Sequence, residues 1–572
     1  MITHKSRMLA QTVAALLAIA HSTGAEVAQE ASRVTNNLPD YTIDVRIDFR
    51  AAKLSGRQRV SLNNSSREAT ESLFFHLYPN VGIDLEGPLT LNVLSVSIGG
   101  RRAQFELQGR STVLRINLPE KLAPGATCTI DIEFSATVPA VPKEETSLIS
   151  HFLEEISDAM GDQSTSRARR EFFFKSGNTM LLGYFFPLLA EGDIRDPERL
   201  PISGIKGVVY SDLANFDVTV ETESDLNVIS SGELGSDAES GRGAANPSLL
   251  GSTRKLRFKG SKLRSFALVV AERMKKLDRD VGGVRLSSYV RPEDERIGLQ
   301  VLATAAKALE TYGRTFGRHP YPSLKVVEVP LPASFSGIDL PGIVVLADAY
   351  YIDFESKQPD LPSIVREQAD VIKSALEFTL VHEIAHSWWG GAVGSDPQRA
   401  PYVDEALAHF SAIYFYELNP GNTSVEAVID QQVRGTYYAY RLFGGADMEV
   451  ESPLKDFKTR IQYAAIVQAK GAFLLLELRR EMGDERFFKT LKAYYNENLF
   501  GMSTPERLRN AFIQAAADPR AMRAQLRRWL NEKHADEDIG SPPATLVTQP
   551  GGGMKKLGRV FVWIGRTAAR PF

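Results

Sequence analysis

In "LVHEIAHSWWGG", Leu380 to Gly391, two histidines stand four apart with a glutamate after the first. Residues four apart share one face of a helix, so His382 and His386 can direct both imidazoles at one point. Glu383 is turned by about 100° from His382. It therefore sits beside such a point, able to address a bound water without being a ligand. Catalytic zinc takes three protein ligands and keeps one position open, so a third ligand should come from another element. "YVDEALAHF" supplies it: Glu405 lies 19 positions past His386. The intervening "GGAVGSDPQRAP" has the glycines and proline turns for a tight connection between two helices. The competing reading is a pair of satisfied core histidines on an apolar helix, and a glutamate placed on the next helix weighs against it. Asp404 and His409 are near neighbours. His409, one turn after Glu405, would either back a ligand or simply pack.

The elements that must position these residues differ along the chain. From Tyr41 to about Val270 the pattern has period two. In "YTIDVRIDF", Tyr41, Ile43, Val45, Ile47 and Phe49 alternate with polar residues, as in a half-buried strand. "STVLRINL", "CTIDIEF" and "NFDVTVET" repeat this, which predicts a large antiparallel β domain over 35–280. The polar stretches Ser157–Arg170 and Gly235–Thr253 read as loops. After Arg291–Gly298 the spacing becomes helical, with one strand-like piece at Ser323–Leu331, and helices dominate from Ser363 to about Lys533. The class is therefore α+β, with a mainly helical domain over 285–540 and a tail over 541–572.

Length and composition bound the function. The chain has 572 residues, enough for two or three full cores. With 67 Lys and Arg against 70 Asp and Glu, it has no basic stripe to track a nucleic-acid backbone. Lys5 and Arg7 precede an apolar run from Met8 to Ala20, and small residues follow to Ala25. This is the order of a secretory signal peptide, assigned to 1–25, and it predicts export to the periplasm or beyond. The run is too short to span a bilayer, so no transmembrane span is expected in the mature chain. The basic tail, with its apolar patch Val560–Ile564, is expected to dock loosely, with weak contact to an anionic membrane surface as the other reading. The single cysteine, Cys128, excludes an internal disulfide framework and is expected to be buried.

The motif and its flanks resemble the zinc aminopeptidase family typified by aminopeptidase N. That family carries HExxH, 18 intervening residues and Glu; "HEIAHSWWG" is similar to its HELAHQWFG and "VDEALAHF" to its LNEGFASY. The likeness extends through "YSDLANFDVTV", "RHPYPSLKVVEVP" and "KGAFLLLELRREMGDERFFKTLKAYY". It implies a saddle-like β domain followed by a thermolysin-like catalytic domain, in a short form without the large C-terminal helical domain. It also implies one zinc per chain on His382, His386 and Glu405, with Glu383 as general base toward a zinc-activated water, and a peptide as substrate.

Two positions depart from the family pattern. Where members have an oxyanion-donating tyrosine just before "xKGA", this chain has Gln468. Tyr463, five residues earlier, would be rotated by about 140° from it on an α-helix; Tyr437, Tyr438 and Tyr440 are further candidates. Where members have the amine-binding glutamate of GxMEN, "FSGIDLPG" presents Asp339, one methylene shorter; its plainer reading is a turn residue in a Gly/Pro loop. The leading expectation is an exported zinc aminopeptidase. The alternatives are a catalytically impaired metal- or peptide-binding relative, and a zinc peptidase with relaxed or endo-type cleavage.

Overall fold

Alternation builds the N-terminal part. In the strand Asp40–Asp48, Tyr41, Ile43, Val45 and Ile47 face inward while their neighbours face out. Each such aliphatic burial is worth about 1.5–3 kcal/mol. The strand pairs antiparallel with Lys53–Asn63 and, on its other side, parallel with Ala214–Glu223. The sheet is thus mixed at this point rather than antiparallel throughout. It has eight strands, and two four-stranded sheets accompany it. Cys128 lies near the end of an inward-facing row and is half-buried, less covered than its spacing suggested.

The computed structural model describes residues 38–540 except 67, 82–88, 160–171, 191–210, 236–251, 334, 357–362 and 422. The expected signal peptide and the C-terminal tail lie outside the described residues, as does most of both expected loops. The start of the first loop, Ser157 to Ala159, is the end of a helix, Leu148–Ala159.

The next layer is a five-stranded sheet. Its order is Lys275–Val281, Val284–Val290, Ser323–Val329, Ile343–Ala347, Gly337–Leu340. The three inner strands are parallel and both edge strands antiparallel. The division expected at 280–285 falls in the turn of the hairpin that starts this sheet. Only Ser323–Leu331 read as strand-like beforehand. All seven residues of Ser323–Val329 and all five of Ile343–Ala347 are buried. Burial on both faces removes the alternation that marks a strand.

Helices cover the sheet and then continue alone. The histidine helix, Ala369–Ala385, packs on the sheet edge and on the glutamate helix, Tyr402–Leu418. The run Arg460–Met482 is long and apolar enough to cross a membrane, but its most apolar window is 83% buried within the fold; here it serves as a core helix. The last two long helices start on side-chain caps, Thr504 and Asp518, each followed by a proline that needs no hydrogen-bond partner. An N-terminal β part followed by a helical part is the α+β arrangement expected.

Candidate active site

The histidine helix is apolar around most of its circumference: Ile372, Phe378, Leu380, Val381 and Ile384 are all buried. Such a helix belongs in the core, so its polar residues arrive desolvated. His382, Glu383 and His386 are 0%, 1% and 4% exposed. Just past His386 the chain reverses at Gly390, whose φ of 102° favours glycine. The reversal brings the Trp389 carbonyl to His386, whose Nδ1–H donates to it at 2.9 Å. That bond fixes the tautomer and leaves Nε2 as the nitrogen that could take a metal. The tryptophans hold the turn: Trp388 Nε1–H donates to the Gly317 carbonyl at 2.8 Å and Trp389 Nε1–H to Ser411 Oγ at 3.0 Å.

Glu405, in the first turn of the glutamate helix, completes the set. His382 Nε2 and His386 Nε2 are 3.1 Å apart, and Glu405 Oε2 is 3.6 Å and 3.9 Å from them. Tetrahedral ligands about 2.0–2.1 Å from zinc stand roughly 3.3 Å from one another. The three atoms therefore converge at the right spacing, and His₂Glu is a zinc-type donor set. Burial pushes the His382 imidazole down to about 3, against the opposing pull of the Glu405 hydrogen bond. A neutral imidazole is the form that ligates.

Glu383 faces a cavity of about 140 Å³ whose wall also includes His386, Asp404, Glu405, Asp339 and Tyr463. It is approached by the edge strand Gly337–Leu340. A Cβ on Gly337 would stand 2.5 Å from Thr379 Cγ2 and 3.0 Å from Glu383 Cγ, so glycine is what lets the strand lie against the helix. Asp339 belongs to this strand, not to a turn, and is half-buried. Ligand-capable atoms of Asp339, Glu383 and His386 lie within 4.8 Å of one another. Phe172 and Tyr184 of the N-terminal part also line the cavity, and burial, with a smaller push from the Asp339 charge, raises the Tyr184 phenol well above its usual range.

The opposite wall is unusual. Ala464–Lys470 is a π-helical stretch between two α-helical ones. With i→i+5 bonding, residues five apart come round to the same side. The 140° offset expected between Tyr463 and Gln468 therefore does not arise. Both reach Glu405: Gln468 Nε2–H donates to Glu405 Oε2 at 2.8 Å, and the buried Tyr463 phenol hydrogen-bonds the same carboxylate. Tyr463 lines the cavity and Gln468 does not. The wall is pinned at its end. Lys470, 1% exposed at its side chain, pairs with Asp447 at 3.0 Å and donates to the Met448 and Glu532 carbonyls. A Cβ on Gly471 would stand 2.8 Å from Ala406 Cβ, so the "KGA" glycine lets this wall press against the glutamate helix beside Glu405.

Other sequence candidates are elsewhere. His409 packs edge-on to His382 at 5.6 Å, and its Nε2 lies 3.3 Å from the Gln432 carbonyl; it is a packing neighbour. Asp404 Oδ1 accepts from the Glu405 backbone N–H at 2.8 Å. The phenols of Tyr437, Tyr438 and Tyr440 are engaged with Asp536, the Ile539 carbonyl and the Ala446 carbonyl. Arg264 drew no notice in the sequence. Its guanidinium donates to the carbonyls of Gly390, Gly391, Ser211 and Gly501, tying the N-terminal part to the turn behind His386.

Residues 302–529 match the Peptidase family M1 domain. The chain is 24% identical over 260 residues to aminopeptidase N of Streptomyces lividans, covering 44% of this chain and 28% of that protein. It is 24% identical over 290 residues to the mitochondrial aminopeptidase 2 of Saccharomyces cerevisiae, covering 50% and 28%. The match thus spans little more than a quarter of these curated relatives. The M1 zinc metallopeptidase of Deinococcus radiodurans shares the fold, with a TM-score of 0.59 over 89% of this chain and 95% of that one at 16% identity. Its two-domain arrangement is the one seen here. The spacing of His382, His386 and Glu405, the second helix that carries Glu405 and the match of residues 302–529 to the Peptidase family M1 domain all agree.

Proposed function

We propose that this protein is a zinc aminopeptidase that hydrolyses the first peptide bond of peptides. The observation that carries the reading is the convergence of His382, His386 and Glu405 beside Glu383 on one cavity wall. Zinc held by the three ligands supplies Lewis acidity, polarising a carbonyl and acidifying water. The chain's own residues do the rest. Glu383, not itself a ligand, takes a proton from the attacking water and returns it to the departing amine nitrogen. Asp339, on the edge strand beside Glu383, offers a carboxylate to the substrate's free ammonium group. Phe172 and Tyr184 line the cavity with it. Among proteins of similar fold, a mutant M1 zinc metallopeptidase from Deinococcus radiodurans is bound to a Tyr-Ser-Ala substrate and a mutant two-domain M1 zinc metallopeptidase to L-arginine, ligands of the size this reading requires.

The test is hydrolysis of a panel of aminoacyl amides by zinc-loaded protein, beside their N-acetylated counterparts. Release from the free-amine series alone is the expected result. Cleavage of acetylated or internally quenched peptides at comparable rates would move the assignment to endo-type cleavage. No release from any substrate would overturn it. The charged, apolar, small-residue order of residues 1–25 supports export as part of the same proposal, checked by the N-terminal sequence of the protein recovered from its native source.

A further inference from the structure

We infer that Tyr463 is the hydrogen-bond donor to the oxyanion, and that Gln468 positions the ligand Glu405. This rests on the peptidase reading above and names a catalytic residue within it.

Three observations carry it. Tyr463 lines the same cavity as Glu383, His386 and Glu405, and Gln468 does not. The Gln468 amide is directed at Glu405 Oε2 at 2.8 Å, in a fully buried contact. The π-helical stretch Ala464–Lys470 brings residues five apart onto one side, so a phenol at 463 reaches the region that an α-helix would have denied it. The stretch is fixed at Lys470 and Gly471, and the hydrogen bond of the Tyr463 phenol to Glu405 holds it beside the candidate ligands, so it needs only to turn from that carboxylate to the oxyanion. Preorganised donors aimed at developing charge are the effective ones.

The step balances as follows. Water oxygen adds to the scissile carbonyl carbon, one C–O bond forms, and the carbonyl π pair moves onto its oxygen. Glu383 accepts one water proton. Collapse returns the pair from oxygen, breaks the C–N bond and sends the proton from Glu383 to the amine nitrogen. Tyr463 keeps its own proton throughout and donates a hydrogen bond to the oxygen that carries the extra pair. Gln468 acts through Glu405, so its loss loosens the metal rather than the oxyanion.

The variant Tyr463→Phe removes one hydroxyl and keeps the ring that fills the core. Zinc stoichiometry, kcat and KM for an aminoacyl amide, and affinity for a phosphinic dipeptide are measured on zinc-loaded protein. The phosphinic group carries a tetrahedral oxygen where the oxyanion would be. Expected for Tyr463→Phe are one zinc per chain, kcat lower by about 10²–10³, little change in KM, and a comparable loss of phosphinate affinity with product amino-acid affinity kept. Expected for Gln468→Met is zinc retention weaker by about 10–100-fold, with the wild-type preference for phosphinate over product kept at saturating zinc. Equal phosphinate affinity in wild type and Tyr463→Phe, or none in either, overturns the assignment of Tyr463. Phosphinate affinity that depends on Tyr463 in a protein that releases no amino acid leaves the assignment standing and sinks the proposed activity alone.

Discussion

On one side of the cavity, the histidine and glutamate helices hold the three candidate metal ligands with ordinary α-helical geometry, and an i,i+4 pair does what that spacing dictates. On the other side, Tyr463 and Gln468 stand on a π-helical stretch, held by a buried lysine and a glycine that touches the glutamate helix. The first side is built from local rules. The second depends on contacts far away in sequence, at Asp447 and Glu532. The difference teaches where a substituted residue is tolerated. The metal side admits no change of residue type, because distance and ligand chemistry are both fixed. On the proposed reading the wall exchanges roles between positions five apart, because its helix type puts them on one side.

The largest expected effect comes from breaking the wall at its anchor. Lys470→Met leaves Asp447 buried without its partner and should cost about 3–5 kcal/mol, read by denaturant titration. A loss of less than about 1 kcal/mol would mean that the wall is not held there. Arg264→Met removes charge-assisted bonds to the turn behind His386 and should lower stability by about 3 kcal/mol, with a fall in thermal midpoint. It tests whether the metal side also leans on a distant element. If the midpoint is unmoved, the histidine helix is self-sufficient.

Gln468→Tyr separates the two sides more finely. It removes the amide from Glu405, so zinc retention should weaken by about 10–100-fold in chelator competition. A gain in activity at equal zinc would instead make position 468 the oxyanion site and contradict the role given to Tyr463. The smallest effect is with pH. His319 packs edge-on against Trp388, which clamps the turn after His386, and burial lowers its imidazole to about 4 from an ordinary 6.5. The native state excludes a proton that the unfolded chain binds, so its contribution is whole above pH 6.5 and is lost as pH falls toward 4. At pH 5.5 the loss is on the order of 1 kcal/mol. His319→Gln should flatten that part of the stability profile, and an unchanged slope would place the acid sensitivity elsewhere.

The metal side was legible in the sequence because its logic is local. His382, Glu383 and His386 follow from helical periodicity, and Glu405 from a short connection. The inward row Tyr41, Ile43, Val45, Ile47 was legible for the same reason. What escaped was non-local. The strands around Ile343 lose alternation through burial on both faces. For Asp339 a turn stood beside the amine-binding reading because Gly337 looked like a loop glycine, when that glycine's role is close packing on Thr379 and Glu383. The "IQYAAIVQAKGA" segment gave the residues of the wall but not their phase, since a π-helical stretch is set by its packing against the glutamate helix. A tyrosine and a glutamine five apart before "KGA" are the signal that an i→i+5 reading would have joined. Arg264 had no pattern at all around it, because its partners are backbone carbonyls from Gly390, Gly391, Ser211 and Gly501.

The most direct test of the central claim is Glu383→Gln, assayed for zinc content and single-turnover hydrolysis together. The side chain keeps its size and loses its capacity to take a proton. One zinc per chain with hydrolysis reduced by at least about 10²–10⁴ is the result predicted for a general base beside a metal held by His382, His386 and Glu405. Loss of zinc from this variant, or retained hydrolysis, would contradict it.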